Sequence, residues 1–140
     1  MPVSVSTPVE KRSVGRAVWN GMLLRCPHCG KGHLFRAYLK VADKCEVCGE
    51  ELHHHRADDF PPYLTIVIVG HIIIFAMLEL MFHFDIAPWI YLATLGPAAV
   101  ILPLIMLPSV KGAVVGLQWA NRMHGFDPTH RPDPALPSYP

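Results

Sequence analysis

Two apolar runs separated by six residues constrain this chain more than any other feature. YLTIVIVGHIIIFAMLELMF, Tyr63 to Phe82, is followed by WIYLATLGPAAVILPLIML, Trp89 to Leu107. Each run is about as long as a helix needs to cross a hydrocarbon core roughly 30 Å thick. No charged residue falls between Ile86 and Leu107. The connection HFDIAPW is short enough that two crossings must run antiparallel, with Pro88 and Trp89 suited to an interfacial turn and anchor. Two buried helices of a soluble core are the rival reading, which so long an uncharged stretch disfavours. At 140 residues, the chain has room for one small domain beside such a hairpin.

Lys and Arg set the expected orientation. Nine precede the first run: Lys11, Arg12, Arg16, Arg25, Lys31, Arg36, Lys40, Lys44 and Arg56. Lys111, Arg122 and Arg131 follow the second run, and the connecting loop has none. The positive-inside bias then places both termini in the cytoplasm, with the hairpin in a bacterial inner membrane. The N-terminal residues lack the hydrophobic core of a secretory signal, so residues 1–20 read as a flexible tail and the Pro-rich residues 127–140 as another. A net charge of +1 gives no global field for nucleic acid, and none is expected as a partner.

Four cysteines stand as Cys26-Pro-His-Cys29 and Cys45-Glu-Val-Cys48. This paired C-x2-C spacing is a zinc-ribbon signal, because each pair can form a tight knuckle whose sulfurs converge on one metal. Gly30 and Gly49 follow the pairs, where the backbone often needs positive φ. A domain this small, residues 21–58, buries too little surface to fold alone, and a metal supplies the missing stability. Zinc is the expected ion, with iron in a rubredoxin-like centre the alternative. Disulfides do not suit a cytoplasmic placement, and a thioredoxin-like redox motif would need a βαβ pattern that is absent. Four thiolates also close the coordination sphere, which points to a structural metal. Between the knuckles, Leu34, Phe35, Tyr38 and Leu39 suit a short hairpin or helical turn. The flanking Lys31, Arg36, Lys40 and Lys44 would be drawn to an anionic inner leaflet.

The stretch ELHHHRADDFPPY joins the ribbon to the first run. His53, His54 and His55 with Asp58 and Asp59 are candidates for a second metal site or a partner site. The simpler reading of ADDFPP is a cap, with Asp at the positive end of a helix and Pro in its first turn. Inside the first run, Glu79 and His83 are four apart on one helical face, and His71 lies two turns from Glu79. Ionisable groups at this depth usually face a partner or a cavity. Proton transfer, metal or haem contact and partner docking compete with simple glue, in which Glu79 bonds the second helix or a symmetry mate.

After Pro108, in SVKGAVVGLQWANRMHGF, Val110, Val114 and Leu117 recur at helical spacing, with Lys111, Gln118 and Arg122 on another side. An interfacial helix over residues 108–126, or an extension of the second crossing, follows. Gly112 and Gly116 would let another helix approach closely.

RCPHCGKGHLF, CEVCG, ADDFPPY and KGAVVGLQWANRMHGF together resemble the bacterial domain-of-unknown-function family numbered 983, over roughly Gly21 to Phe126. The resemblance implies a cytoplasmic zinc ribbon followed by two membrane helices. Through the frequent neighbourhood of such genes to cytochrome oxidase subunits and assembly factors, it also implies a place in respiratory-complex assembly. The expected fold is therefore a small zinc ribbon, then an antiparallel transmembrane hairpin over residues 59–107 (helices near 62–84 and 88–107), then a juxtamembrane helix. The expected function is a non-enzymatic membrane adaptor or assembly factor that meets lipid and a membrane-protein partner, homo-oligomers included. A carrier or chaperone of metal or haem using His71, Glu79, His83 or the triple histidine His53–His55 is the alternative. No paired nucleophile and base and no phosphate loop argue for catalysis.

Overall fold

A computed structural model of the chain describes residues 11–53, 59–123 and 126. Its elements are helix α1 (Val14–Met22), strands β1 (Phe35–Ala37) and β2 (Lys40–Val41), helix α2 (Phe60–His83) and helix α3 (Pro88–Ala120). A strand-poor cysteine domain thus precedes two long apolar helices, as the sequence predicts.

Helices α2 and α3 are both long and apolar enough to cross a membrane. They form an antiparallel hairpin in which Ile66 to Ile74 face Ala99 and Pro103 across a shallow apolar groove. Most of their apolar surface is uncovered: Phe75, Met81, Phe82, Trp89, Leu92 and Ile105 are all at least 60% exposed. A soluble core would bury these side chains, so the exposure argues against that rival reading. On α2, only Pro61, Thr65 and Val69 are buried, all near the end that meets the ribbon.

Helix α3 runs unbroken from the second apolar run to Ala120, the extension of the second crossing rather than the separate juxtamembrane helix. It contains Pro97, Pro103 and Pro108, each of which removes one N–H from the helical ladder. The last three turns of α3 bury Gly112, Val114, Val115, Gly116, Gln118 and Trp119. Gln118, expected on a polar side, is therefore inside. The opposite face, that of Gly112 and Gly116, is covered by another helix.

That helix is α1, which lies largely in the segment expected as a tail. Ser13 caps it, its hydroxyl accepting the Arg16 N–H at 3.4 Å. The carbonyl oxygens and main chain of α1 meet the glycines of α3. A Cβ on Gly21 would overlap the Gly112 carbonyl, and one on Gly116 the Ala17 carbonyl. Ala17 and Gly21 are themselves a small-xxx-small pair, so the two backbones touch. The pairing of 17 with 116 and 21 with 112 makes the helices antiparallel. The close helical partner expected for Gly112 and Gly116 is thus in the same chain.

Helix α1 ends in a Schellman turn, with Leu24 N–H on the Gly21 carbonyl and Arg25 N–H on the Asn20 carbonyl, both 2.9 Å. The residue held left-handed is Leu24, at φ 62°. Past this turn, the β1–β2 hairpin pairs Phe35 with Val41 and Ala37 with Lys40. The ribbon's core joins Cys26, Leu34, Val41, Cys45 and Leu52 to Val114 and Val115 of α3. Ribbon and helix therefore share one core.

Candidate metal centre and its junction with the helices

The two knuckles are built alike. Gly30 N–H returns to the Cys26 carbonyl at 2.8 Å, and Gly49 N–H to the Cys45 carbonyl at 3.0 Å. Both glycines take the expected left-handed conformation, with φ 70° and 74°. Bridges between Arg25 and His33, and between Lys44 and Glu51, close the base of each knuckle. The four sulfurs converge to within 4.8 Å of one another. Cys26 and Cys48 are 3.7 Å apart, as are Cys29 and Cys45. Four sulfurs on a tetrahedron with metal–sulfur bonds near 2.3 Å would be separated by about 3.8 Å. The donor set and spacing thus fit a tetrahedral ion such as zinc, and we read the short sulfur–sulfur approaches as edges of that tetrahedron rather than thiol hydrogen bonds.

Gly32 belongs to this site, although only Gly30 and Gly49 stand out in the sequence. A Cβ on Gly32 would overlap the Cys45 sulfur. Its carbonyl also accepts the Cys26 N–H at 2.8 Å. The second glycine of CGKG was the available signal.

The thiols are electrostatically unequal. Burial pushes Cys26 well above its ordinary 9.0, reinforced by the Cys45 and Cys48 sulfurs and only partly opposed by the N–H groups of Cys29 and His28. Burial also raises Cys48. Burial would raise Cys29 too, but the N–H groups of Gly32 and Lys31, with the sulfurs of Cys45 and Cys48, outweigh it and bring Cys29 down to about 6. A thiolate at Cys29 is thus ready before the metal arrives, whereas Cys26 and Cys48 must give up protons to bind it.

A cluster of polar and aromatic side chains fixes the centre to the end of α3. Trp119 Nε1 donates to Glu50 Oε1 at 3.0 Å, just past the second knuckle. The His28 ring, inside the first knuckle, lies 5.5 Å from the Trp119 ring, and its Nδ1 is 3.8 Å from Glu50 Oε2. The Arg12 guanidinium stacks 4.2 Å over Trp119 and donates to the Trp119 carbonyl at 2.8 Å. Its other nitrogen is 3.9 Å from Glu50. None of Arg12, His28, Glu50 or Trp119 stands out in the sequence as a site residue, because their meeting depends on how α1 and α3 cross.

A second contact holds the hairpin tip. Tyr38 Oη donates to the Leu104 carbonyl at 2.7 Å, and Lys111 Nζ donates to the Leu39 carbonyl at 2.7 Å. Leu104 is the carbonyl that would have taken the N–H of residue 108, which proline lacks.

The remaining candidates are placed as follows. His53 and Asp59 are described and lie outside the metal cluster, while His54, His55 and Asp58 lie outside the described residues. Asp59 occupies the cap position of α2, but its side chain makes no capping hydrogen bond. His71, Glu79 and His83 are all exposed on α2. His83 Nδ1 is 3.5 Å from Glu79 Oε2 and 3.0 Å from the Glu79 carbonyl. His71 Nδ1 is 2.7 Å from the Val67 carbonyl. None of the three bonds α3, so the expected glue between the two helices is not formed by them.

No curated protein and no solved structure matches the chain. A family profile described as "Protein of unknown function (DUF983)" matches residues 35–119. The match takes in the β hairpin, the second knuckle and both long helices as far as Trp119. It begins after Cys26 and Cys29, whose place in the centre therefore rests on the converging sulfurs. Matched over more than half its length, the chain belongs to the DUF983 family.

Proposed function

We propose that the protein is a non-enzymatic inner-membrane adaptor or assembly factor, in which a zinc-loaded ribbon is held at the cytoplasmic surface and the hairpin engages a membrane protein. The observation that carries this reading is the exposure of His71, Glu79 and His83 on the outer face of α2. Polar groups facing hydrocarbon are costly, and a partner helix that hydrogen-bonds them removes that cost. The four-cysteine centre supports a structural part for the metal, since it leaves no coordination position for a substrate. A respiratory oxidase subunit or its assembly factor is the partner class that the family resemblance suggests, and a second copy of this chain is the other. The excess of Lys and Arg before α2 supports cytoplasmic termini.

Isolation of the chain from native membranes in mild detergent, with metal analysis of the same sample, tests this reading. Recovery of oxidase subunits with one zinc per chain supports it. A solitary zinc-loaded monomer counts against the adaptor role.

One observation favours a second reading, a carrier of metal or haem. His71 and His83 both present Nδ1 to a backbone carbonyl, which can only accept. In the neutral rings, the lone pair is then on Nε2, the nitrogen available to a metal. Copper or haem bound stoichiometrically by the purified chain, and lost in His71→Ala, would favour the carrier over the adaptor.

A further inference from the structure

The chain between α1 and the hairpin encloses an open cleft of about 540 Å³, lined by Leu23, Leu24, Arg25, Gly30, Lys31 and His33. No carboxylate lines it. Elsewhere on the ribbon, Arg36 lies 3.7 Å from Asp43 and Lys44 3.8 Å from Glu51, while the exposed Lys40 stands alone on the hairpin, away from any second cation of the cleft. Among the described residues, Arg25 and Lys31 have no such partner. The cleft is therefore a concentration of uncompensated positive charge beside two leucines.

Its position follows from the helix packing. Because α1 runs antiparallel to α3, with Ala17 against Gly116 and Gly21 against Gly112, continuing past Gly21 leads toward Pro108 and the apolar part of α3. Tyr38, on the hairpin tip, already reaches Leu104 within that part. The Leu23 and Leu24 side of the cleft thus lies toward the apolar part of α3, the membrane-facing end given the membrane reading above.

The leucines add a third observation. Leu24 holds a left-handed φ of 62°, a conformation that glycine takes without strain, and it ends a Schellman turn where glycine is usual. Its side chain is outside the core, 38% exposed, next to Leu23 at 47% and Met22 at 41%. The fold covers these side chains only in part, whereas an acyl layer would bury the remainder.

We propose that this cleft binds the headgroup of an anionic phospholipid of the cytoplasmic leaflet. Arg25 and Lys31 meet the phosphate, His33 offers a ring nitrogen to the headgroup, and Leu23 and Leu24 enter the acyl region beneath. Phosphate oxygens are the shared chemistry of a lipid and of soluble phosphates. The adjoining apolar side chains select the lipid.

The test uses the full-length, zinc-loaded chain in a neutral detergent, with retained lipid counted by native mass spectrometry after addition of phosphatidylglycerol or phosphatidylcholine. One phosphatidylglycerol per chain, held about tenfold or more over phosphatidylcholine, is expected, and millimolar inorganic phosphate should not displace it. The double variant Arg25→Gln/Lys31→Gln should lose that preference while keeping its zinc, and Leu24→Gly should weaken retention of phosphatidylglycerol. Equal retention of the two lipids, or full preference in the double variant, overturns the proposal. Displacement by inorganic phosphate also overturns it, making the cleft a soluble-phosphate site. Zinc loss in the double variant transfers the decision to Lys31→Glu alone, which must lose the preference with zinc retained. Alkaline extraction of native membranes separates the two levels: a chain released as soluble protein sinks the membrane reading, and one that stays membrane-bound without lipid preference sinks only the headgroup site.

Discussion

At the scale of single residues, the ribbon is aimed by a hydrogen bond that a proline makes available. Pro108 cannot donate to the Leu104 carbonyl, and Tyr38 Oη takes the vacant place at 2.7 Å. Tyr38→Phe should therefore destabilise the docked ribbon by about 1 kcal/mol. In a Pro108→Ala background, the helix regains its own donor, and the same substitution should have almost no effect. A double-mutant cycle on thermal unfolding measures this coupling, and additive effects would contradict it. Gly32→Ala poses a sharper steric problem, because the added methyl meets the Cys45 sulfur. It should weaken zinc binding while conservative changes on the exposed side of the ribbon, such as Lys40→Gln, do not. The thiols also predict a pH dependence. Cys29, lowered to about 6, is ionised at pH 7, but Cys26 and Cys48 are raised and keep their protons until metal displaces them. Affinity for zinc should then fall as pH falls, with about two or more protons released per ion near neutrality. Chelator competition across pH 6.5 to 8 reads that slope directly, and a flat profile would mean that the thiols are already ionised in the metal-free chain.

Among the elements, the close meeting of α1 with α3 sets apart what the sequence displays from what it conceals. Both long helices are legible because their apolar runs far exceed the length of a buried strand, and the knuckles are legible because metal geometry imposes a fixed spacing on Cys and Gly. Helix α1 is not. Nine residues with two glycines make a marginal helix in isolation, and its stability comes from packing on α3. Gly112 and Gly116 announce a close helical contact, but nothing in their spacing says that the partner lies about ninety residues earlier in the same chain. The junction of Arg12, His28, Glu50 and Trp119 is hidden for the same reason. Glycine substitutions expose the difference. Gly21→Ala or Gly112→Ala places a methyl on the opposing carbonyl and should cost about 1–3 kcal/mol, or more if the helices separate. Gly15→Ala, in the same helix but with nothing near the new methyl, should be neutral or stabilise by up to about 1 kcal/mol. Limited proteolysis near residues 14–25 reports the outcome. Equal susceptibility of the Gly21 and Gly15 variants would show that the backbones are not in contact.

For the whole molecule, the decisive question is whether metal and helices form one cooperative unit. The ribbon's core contains two of its own ligands, Cys26 and Cys45, and is completed by Val114 and Val115 of α3. Without an ion, the centre of that core becomes a group of converging sulfurs, with little apolar surface to replace the lost bonds. A domain this small draws most of its folding free energy from such bonds, which in structural zinc sites amount to roughly 10–16 kcal/mol. The hairpin has no such dependence, since α2 and α3 satisfy most of their backbone polar groups within each helix and are long and apolar enough to cross a membrane. Helix α1 occupies an intermediate position: Ala17 packs with Trp119 and Phe126 in a separate cluster, but Trp119 is also tied to Glu50 of the second knuckle. Chelation should therefore abolish hydrogen-exchange protection at the knuckle amides of Gly30, Gly49 and Leu52, reduce it partly along α1, and leave the spans of α2 and α3 protected. Restoring zinc should restore the pattern. If the spans lost protection together with the ribbon, metal would be holding the hairpin as well. If the knuckle amides stayed protected without metal, the shared core with α3 would be sufficient by itself, and the ion would have some task other than folding.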